Sequence, residues 1–233
     1  MERSGHDRNV SVSYNDTALK NCGSANTRFT RTFWQAPLRR GWACCVAALL
    51  ATAAGAADRA VQQVRLLDLQ GRKVQPLTRI SAQASVFVFT RTDCPISNRY
   101  APELERIYRE FASRNVAFWL IYVDPGQSAD AIRRHLDEYA YPFGALLDPR
   151  HEFVRLTGVR VTPEAAVFVS EGAQARMVYR GRIDDRYVEL GQERPQPTTH
   201  DLENVLWRVV ERKQVKLETT RAVGCFISDL EER

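Results

Sequence analysis

Residues 85–99 read Ser-Val-Phe-Val-Phe-Thr-Arg-Thr-Asp-Cys-Pro-Ile-Ser-Asn-Arg, and they hold a strand, a reactive atom and the start of a helix. The run from Ser85 to Phe89 is rich in apolar, β-branched and aromatic residues, as a strand buried on both faces requires. Pro95 stands where a first-turn proline is tolerated, because its missing N–H would have no partner inside the helix. Tyr100, Leu104, Ile107, Tyr108 and Phe111 then fall on one helical face. Cys94 therefore sits between a buried strand and a helix start, where unpaired backbone N–H groups favour the thiolate, the form of cysteine that attacks. Asp93 opposes that ionisation, and Arg91 and Arg99 are placed to offset it. A buried structural cysteine would suit the same position.

Outward from this stretch, strands and helices alternate. Val64–Leu69 is a short strand turned by Gly71, and Val116–Val123 is strand-like and closed by the turn residues Asp124, Pro125 and Gly126. Ser128 caps a helix carrying Ile132, Leu136 and Tyr139 on one side. Phe143–Leu147 makes a further core strand, and His151–Thr157 a short helix stopped by Gly158. Ala165–Val169 and Arg176–Tyr179, joined through Glu171 and Gly172, form a hairpin. After a loop over Gly191–Pro197, a last helix presents Leu202, Val205, Leu206, Val209 and Val210 as its apolar stripe, with Thr198 and Asp201 as a capping-box signature. No segment repeats. The order predicts one α/β domain with a mixed central sheet flanked by helices.

The 233 residues are 44% hydrophobic and 26% charged, which suits a folded domain and excludes a fibrous or wholly disordered chain. The formal charge of +5 is concentrated at one end. Residues 1–57 hold seven Lys or Arg against three Asp or Glu, and the remainder is close to neutral. No basic run interrupts that remainder, so a nucleic-acid footprint is not expected. Arg39 and Arg40 precede an uncharged stretch from Gly41 to Ala57 with an apolar centre at Val46–Leu50 and small residues at Ala54, Ala56 and Ala57. A basic start, an apolar stretch short of a comfortable membrane span and a small-residue exit are features of an export signal, with cleavage expected near Asp58. The expected organisation is a polar leader with export signal over 1–57, a folded domain over 58–215, and a tail over 216–233. The destination is the periplasm or the exterior, with membrane contact through the signal alone, as an anchor if it stays uncleaved. Cys22, Cys44 and Cys45 fall in the leader, so Cys94 and Cys225 are the pair that an oxidising compartment would act on.

Several stretches together resemble the thioredoxin-like redoxins, including the thiol-specific antioxidant or peroxiredoxin-like branch. Cys94-Pro95-Ile96-Ser97 occupies the place of the thioredoxin Cys-x-x-Cys turn, and Ala101-Pro102 matches the proline that kinks the following helix. Gly158-Val159-Arg160-Val161-Thr162-Pro163 looks like the approach to that family's cis-proline loop, with the hairpin and Tyr179–Gly181 following in order. The resemblance covers roughly Val64–Arg212 and implies a thioredoxin-like fold and a thiol-based oxidoreductase needing neither metal nor organic cofactor. It implies Cys94 as nucleophile, and a substrate site shaped by Thr162 and Pro163, whose exposed strand edge could hydrogen-bond an extended substrate, with Thr92, Pro95 and Arg160 beside it. Arg160 is the nearest match to the peroxiredoxin arginine.

The departures are as informative. Ser97 replaces the second thioredoxin cysteine, Asp93 the usual Trp and Val88 the usual buried acid, so a dithiol cycle within the turn is impossible. Arg91 stands where peroxiredoxins place Thr, with Thr90 and Thr92 on either side. Cys225, in the run Val223-Gly224-Cys225-Phe226-Ile227, is the candidate resolving thiol. Peroxide and protein disulfide both remain open as substrates, with a second dithiol protein as electron donor implied by the resemblance. The alternative is a redoxin fold kept as a binding or scaffold module. His135, His151 and His200 lack metal-ligand spacing and are expected at the surface or at helix ends. Copper chaperones of this fold need a second cysteine near the first, which Cys94 lacks. Asp184 and Asp185, in a Gly181-Arg182-Ile183-Asp184-Asp185 run like one in bacterial redoxins, are expected in a solvated turn.

Overall fold

The structure is a computed structural model, and it describes residues 64–78, 81–172 and 174–227. The expected leader and export signal fall on residues that lie outside the described ones. In chain order the elements are β1 (Leu66–Leu67), β2 (Lys73–Val74), β3 (Ala84–Thr90), α1 (Pro95–Arg99), α2 (Ala101–Phe111), β4 (Val116–Tyr122), α3 (Ala129–Glu138), β5 (Gly144–Leu147) and α4 (Glu152–Thr157). They continue with β6 (Val161–Thr162), β7 (Glu164–Glu171), β8 (Gln174–Gly181), β9 (Tyr187–Glu189), β10 (Gln192–Glu193), α5 (Asp201–Val210), β11 (Glu218–Thr219) and β12 (Cys225–Phe226).

Among the described residues the main sheet runs in the order β11-β8-β7-β3-β4-β5-β1-β2. β3, β4 and β5 are parallel, β7 runs antiparallel to β3, and β8 antiparallel to β7, so the sheet is mixed as expected. Every residue of β3 is buried. Its alternate side chains serve two cores. Val86 and Val88 face Leu104, Ile107 and Phe111 of α2 and Leu202, Val205 and Leu206 of α5. Phe87 and Phe89 face the other side with Phe153 of α4 and Phe168 of β7. Phe87 meets Phe153 edge-on at 4.9 Å between ring centroids, a favoured aromatic geometry. The buried β3 therefore fixes where its C-terminal end lies, and Cys94 follows four residues after that end.

Two local expectations need correction. Ser128 caps α3 as expected, its hydroxyl accepting the Ala131 N–H at 3.2 Å. Helix α5, in contrast, has His200 at its cap and no side-chain cap bond. Thr198 instead donates both its N–H and its hydroxyl to Asp185. The reason is that Asp184 and Asp185 are not solvated: they are 1% and 5% exposed, so each buried carboxylate needs donors. Asp184 accepts from the Tyr100 hydroxyl and the Arg186 N–H, and Asp185 from Thr198 and Thr199. His135 and His151 are buried at 4% each and stand at helix ends, one of the two positions expected for them, His135 in the last turn of α3 and His151 immediately before α4.

The chain beyond α5 returns to the domain. Thr220 ties it to β8 through its N–H to the Arg180 carbonyl and its hydroxyl to Tyr179 and the Arg182 N–H. β12 then pairs antiparallel with β6, Cys225 opposite Thr162 and Phe226 opposite Val161, and Ile227 is buried in the Phe87 core. Each such hydrogen bond contributes on the order of 1 kcal/mol and a buried Ile about 1.5–3 kcal/mol, a modest hold that a partner could displace. Gly224 makes the approach possible, because a Cβ there would lie 2.1 Å from the Thr162 carbonyl oxygen. Gly224→Ala is expected to lift β12 from β6. Amide hydrogen exchange should speed up at Phe226 and Ile227 while β3, β4 and β7 keep their protection; unchanged tail protection would show that the contact does not seat the tail.

Candidate active site

Cys94 is the residue immediately before α1, with Pro95 opening the helix as the sequence predicts. Its side chain is fully buried. Two elements distant in sequence cover it. The Thr162–Pro163 peptide, at the end of β6, is cis, and the Thr162 carbonyl oxygen lies 3.1 Å from Cys94 Sγ. From the tail, Cys225 Sγ approaches Cys94 Sγ to 2.7 Å; both cysteines are free, and Cys225 keeps part of its surface in solvent. The structure thus brings together Cys94, Cys225, Thr162, Pro163 and Pro95.

The sulfurs are electrostatically unlike. Burial raises the pKa of Cys94, but hydrogen bonds from Cys225, the Ser97 and Thr162 side chains and the Ser97 N–H outweigh it, leaving the thiol below its ordinary value. The Ser97 and Thr162 hydroxyls are buried and have no hydrogen-bond partner, so both are free to donate to a thiolate. The Thr162 carbonyl is an acceptor and works in the opposite direction, since only a protonated sulfur can donate to it. Cys225 is pushed up to about 12 by burial and by the hydrogen bond and charge of Cys94. The first proton to leave the pair is therefore the one on Cys94, and the one on Cys225 is held to a much higher pH. Asp93, expected to oppose ionisation, is neutralised by a two-pronged contact with Arg91 at 3.0 Å on both arms. Arg99 is engaged elsewhere, 3.2 Å from Glu193.

A buried polar chain, which the sequence reading missed, holds the loop that carries Cys94. Tyr122 OH lies 2.8 Å from His135 Nδ1, His135 Nε2 lies 2.9 Å from Asn98 Oδ1, and Asn98 Nδ2 donates to the Thr92 carbonyl at 3.0 Å. Burial lowers the pKa of His135, which keeps it neutral and able to accept from the tyrosine while donating to Asn98. Gln127 donates to the Thr92 hydroxyl, so the polar atoms of Thr92 are occupied in holding the loop. No local pattern announces this chain, because its members come from α1, β4 and α3.

Arg160 lies on a pocket whose lining includes neither Cys94 nor Cys225. Together with Arg180, Arg221, Glu164, Gly224 and Phe226 it lines that pocket, of about 520 Å3. Gly224 and Phe226 border that pocket while Cys225 does not, consistent with neighbouring side chains of an extended segment pointing apart. The structure also gathers Glu103, His200 and Glu203, a grouping that sequence spacing conceals. A cation already stands there: the Arg106 guanidinium bonds both carboxylates.

The proton count is measurable. When the reduced protein is titrated and thiolate ultraviolet absorbance followed, one step is expected below the value of an ordinary thiol and a second only toward about 12. Cys225→Ala removes a donor from Cys94, so the first step should move up in pH. Two overlapping steps at the ordinary value would contradict this order of ionisation.

The sequence pattern of the AhpC/TSA family matches residues 57–180, more than half of the chain. The thiol-disulfide oxidoreductase ResA of Halalkalibacterium halodurans is 26% identical over 136 residues, which span 58% of this chain and 74% of that protein. Among solved structures, an uncharacterized conserved protein from Geobacillus kaustophilus has a TM-score of 0.61 at 23% identity, with 74% of this chain and 92% of that one covered. A hypothetical protein from Sinorhizobium meliloti 1021 has a TM-score of 0.58 at 21% identity, covering 70% of this chain and 89% of the other. The mixed sheet, the helix that starts beside Cys94 and the proline facing it make the fold thioredoxin-like. The chain belongs to the AhpC/TSA family, within the thioredoxin-like redoxins.

Proposed function

We propose that this redoxin is an exported thiol-disulfide oxidoreductase in which Cys94 is the nucleophile and Cys225 the resolving thiol. The observation that carries the reading is the 2.7 Å approach of the two sulfurs, 131 residues apart in sequence, at the edge of Thr162 and Pro163. The similarity to a thiol-disulfide oxidoreductase supports disulfide exchange over peroxide reduction. So does Arg160, the nearest match to the peroxiredoxin arginine, which lines a pocket that includes neither Cys94 nor Cys225. The basic and apolar leader supports export; among the described residues no helix is long and apolar enough to cross a membrane.

In the proposed cycle the tail moves aside and an extended substrate takes its place along Val161–Thr162, with Pro95, Thr92 and Pro163 around the entering sulfur. The Cys94 thiolate attacks one sulfur of the substrate disulfide, forming a mixed disulfide and releasing the other substrate sulfur as a thiolate. Cys94 then carries no charge, so the interactions that held the proton on Cys225 disappear and that thiol becomes easier to ionise. The Cys225 thiolate attacks Cys94 Sγ, a Cys94–Cys225 disulfide forms, and the second substrate thiolate leaves. The substrate has gained two electrons and two protons, one proton from Cys225 and one from solvent, and the enzyme pair, starting as Cys94 thiolate and Cys225 thiol, has lost two electrons and one proton. A dithiol donor protein restores the reduced pair.

The second reading, a binding module without turnover, is favoured by one observation, the complete burial of Cys94 under the tail. The readings separate in one assay. Reduced protein is expected to reduce a disulfide-bonded protein such as insulin in the presence of a dithiol donor, with Cys94→Ser losing about 10²-fold or more of the rate, as for removal of an essential nucleophile. Peroxide consumption with no disulfide reduction would replace the substrate assignment, and neither activity would leave the binding module.

A further inference from the structure

Docked on β6, the tail occupies the strand edge that the proposed cycle gives to substrate, and its residues record what that edge accepts. The sulfur sets the register. A cysteine attacked by Cys94 must bring its Sγ to the place that Cys225 Sγ holds, which the tail reaches from a position opposite Thr162. Neighbouring side chains of an extended segment alternate between faces, so the cysteine decides where the residues around it fall. The residue before it lies against backbone. A Cβ on Gly224 would stand 2.7 Å from the Thr162 carbonyl carbon and 3.2 Å from the Pro163 nitrogen, atoms that no rotamer change can move aside. The residue two after it enters the core: Ile227 is buried in one apolar cluster with Phe87, Phe153 and Phe168, and its N–H donates to the Arg160 carbonyl at 3.0 Å. The residue between points away from both, since Phe226 is 73% exposed.

We infer that the substrates of this site are disulfides of extended polypeptides in which the attacked cysteine follows a glycine and is followed, two residues on, by an aliphatic residue, the pattern that the tail itself carries as Gly224-Cys225-Phe226-Ile227. The inference rests on the proposed reading of Cys94 as nucleophile and of Val161–Thr162 as the substrate edge, and adds a sequence class to it. A tail that moves aside uncovers a gap against Thr162 too shallow for a Cβ, together with the slot that Ile227 leaves. An aliphatic side chain in that slot is removed from water, whereas a carboxylate there would be buried without a partner. A Cβ in the gap forces two backbones apart and weakens the strand pairing that delivers the sulfur. The chemical step is unchanged: the Cys94 thiolate attacks the Sγ of the delivered cysteine, the Cys94–substrate bond forms as the substrate disulfide breaks, and the electron pair leaves on the substrate's other sulfur. Selection acts through which cysteine the edge can hold.

The test uses the full chain carrying Cys225→Ser, so that an adduct on Cys94 is not resolved, and capped heptapeptides whose cysteine bears a thionitrobenzoate group as the leaving thiolate. The parent peptide copies residues 221–227, Arg-Ala-Val-Gly-Cys-Phe-Ile, and three others carry Gly224→Ala, Phe226→Ser or Ile227→Asp in the same numbering. Samples are quenched with acid, and the peptide adduct on Cys94 is counted by mass, apart from any adduct on Cys22, Cys44 or Cys45. The tail competes with every peptide alike, so ratios of rates read the peptide. Relative to the parent, the Gly224→Ala and Ile227→Asp peptides are expected to react about tenfold or more slowly, and the Phe226→Ser peptide within about threefold. In urea, where no strand edge exists, all four should react within about threefold of one another. A parent rate retained by the Gly224→Ala or the Ile227→Asp peptide, a loss as large for Phe226→Ser, or the same differences in urea would overturn the sequence class while leaving Cys94 as the nucleophile. No peptide adduct on Cys94 in the folded protein would remove the nucleophile assignment and this inference with it.

Discussion

The proposed chemistry of this protein depends on a two-residue strand. Cys225 and Phe226 pair with Thr162 and Val161, and that pairing places a second sulfur against a first that the domain has already fixed in position. Fixing the first takes most of the fold. The buried β3 delivers the chain to a loop clamped by Asn98 and His135, and α1 turns the Ser97 amide toward the sulfur. Fixing the second takes little: a few backbone hydrogen bonds, the buried Ile227 and a glycine that lets two backbones touch. A rigid nucleophile paired with a lightly held resolving thiol suits a cycle in which substrate and tail must alternate at one strand edge.

That division is how the proposed cycle operates in a redoxin fold without the second cysteine of its turn. When both thiols lie in one turn, their geometry is set by a single helix start. Here Ser97 occupies the second position with an unpartnered hydroxyl, while the proposed redox partner arrives by tertiary contact from residue 225. The partner's proton then depends on whether the tail is docked, because both the hydrogen bond and the charge that raise the Cys225 pKa come from Cys94. Redox state, proton and tail position are linked through one contact.

Much of this was legible in the sequence where the signal is local. Continuous apolar runs marked the strands buried on both faces, Pro95 marked the helix start, and Thr162-Pro163 marked the edge beside Cys94. Cys225 was identified by elimination, as the one cysteine left outside the leader to pair with Cys94, and through the redoxin resemblance. What escaped was long-range and polar. Adjacent Asp184 and Asp185 look solvated because neighbours on an extended chain point apart, yet one finds Tyr100 and the other Thr198 and Thr199, partners that no periodicity predicts. Thr198 was lost as a helix cap for the same reason, its donors being drawn to a buried carboxylate. The Tyr122–His135–Asn98 chain joins three elements through side chains that each look ordinary alone. Gly224 carries no turn signature, since its role is the absence of a Cβ against another backbone.

The most direct measurement of whether the two sulfurs act as one couple is an equilibrium redox titration of the full chain in thiol–disulfide buffers, with free thiols at Cys94 and Cys225 counted separately by mass. A single two-electron transition is expected, in which both thiols disappear together and the product stays monomeric. Separate transitions for Cys94 and Cys225, or oxidation that joins two chains instead of closing one, would contradict the idea that the β12–β6 pairing makes them a redox pair.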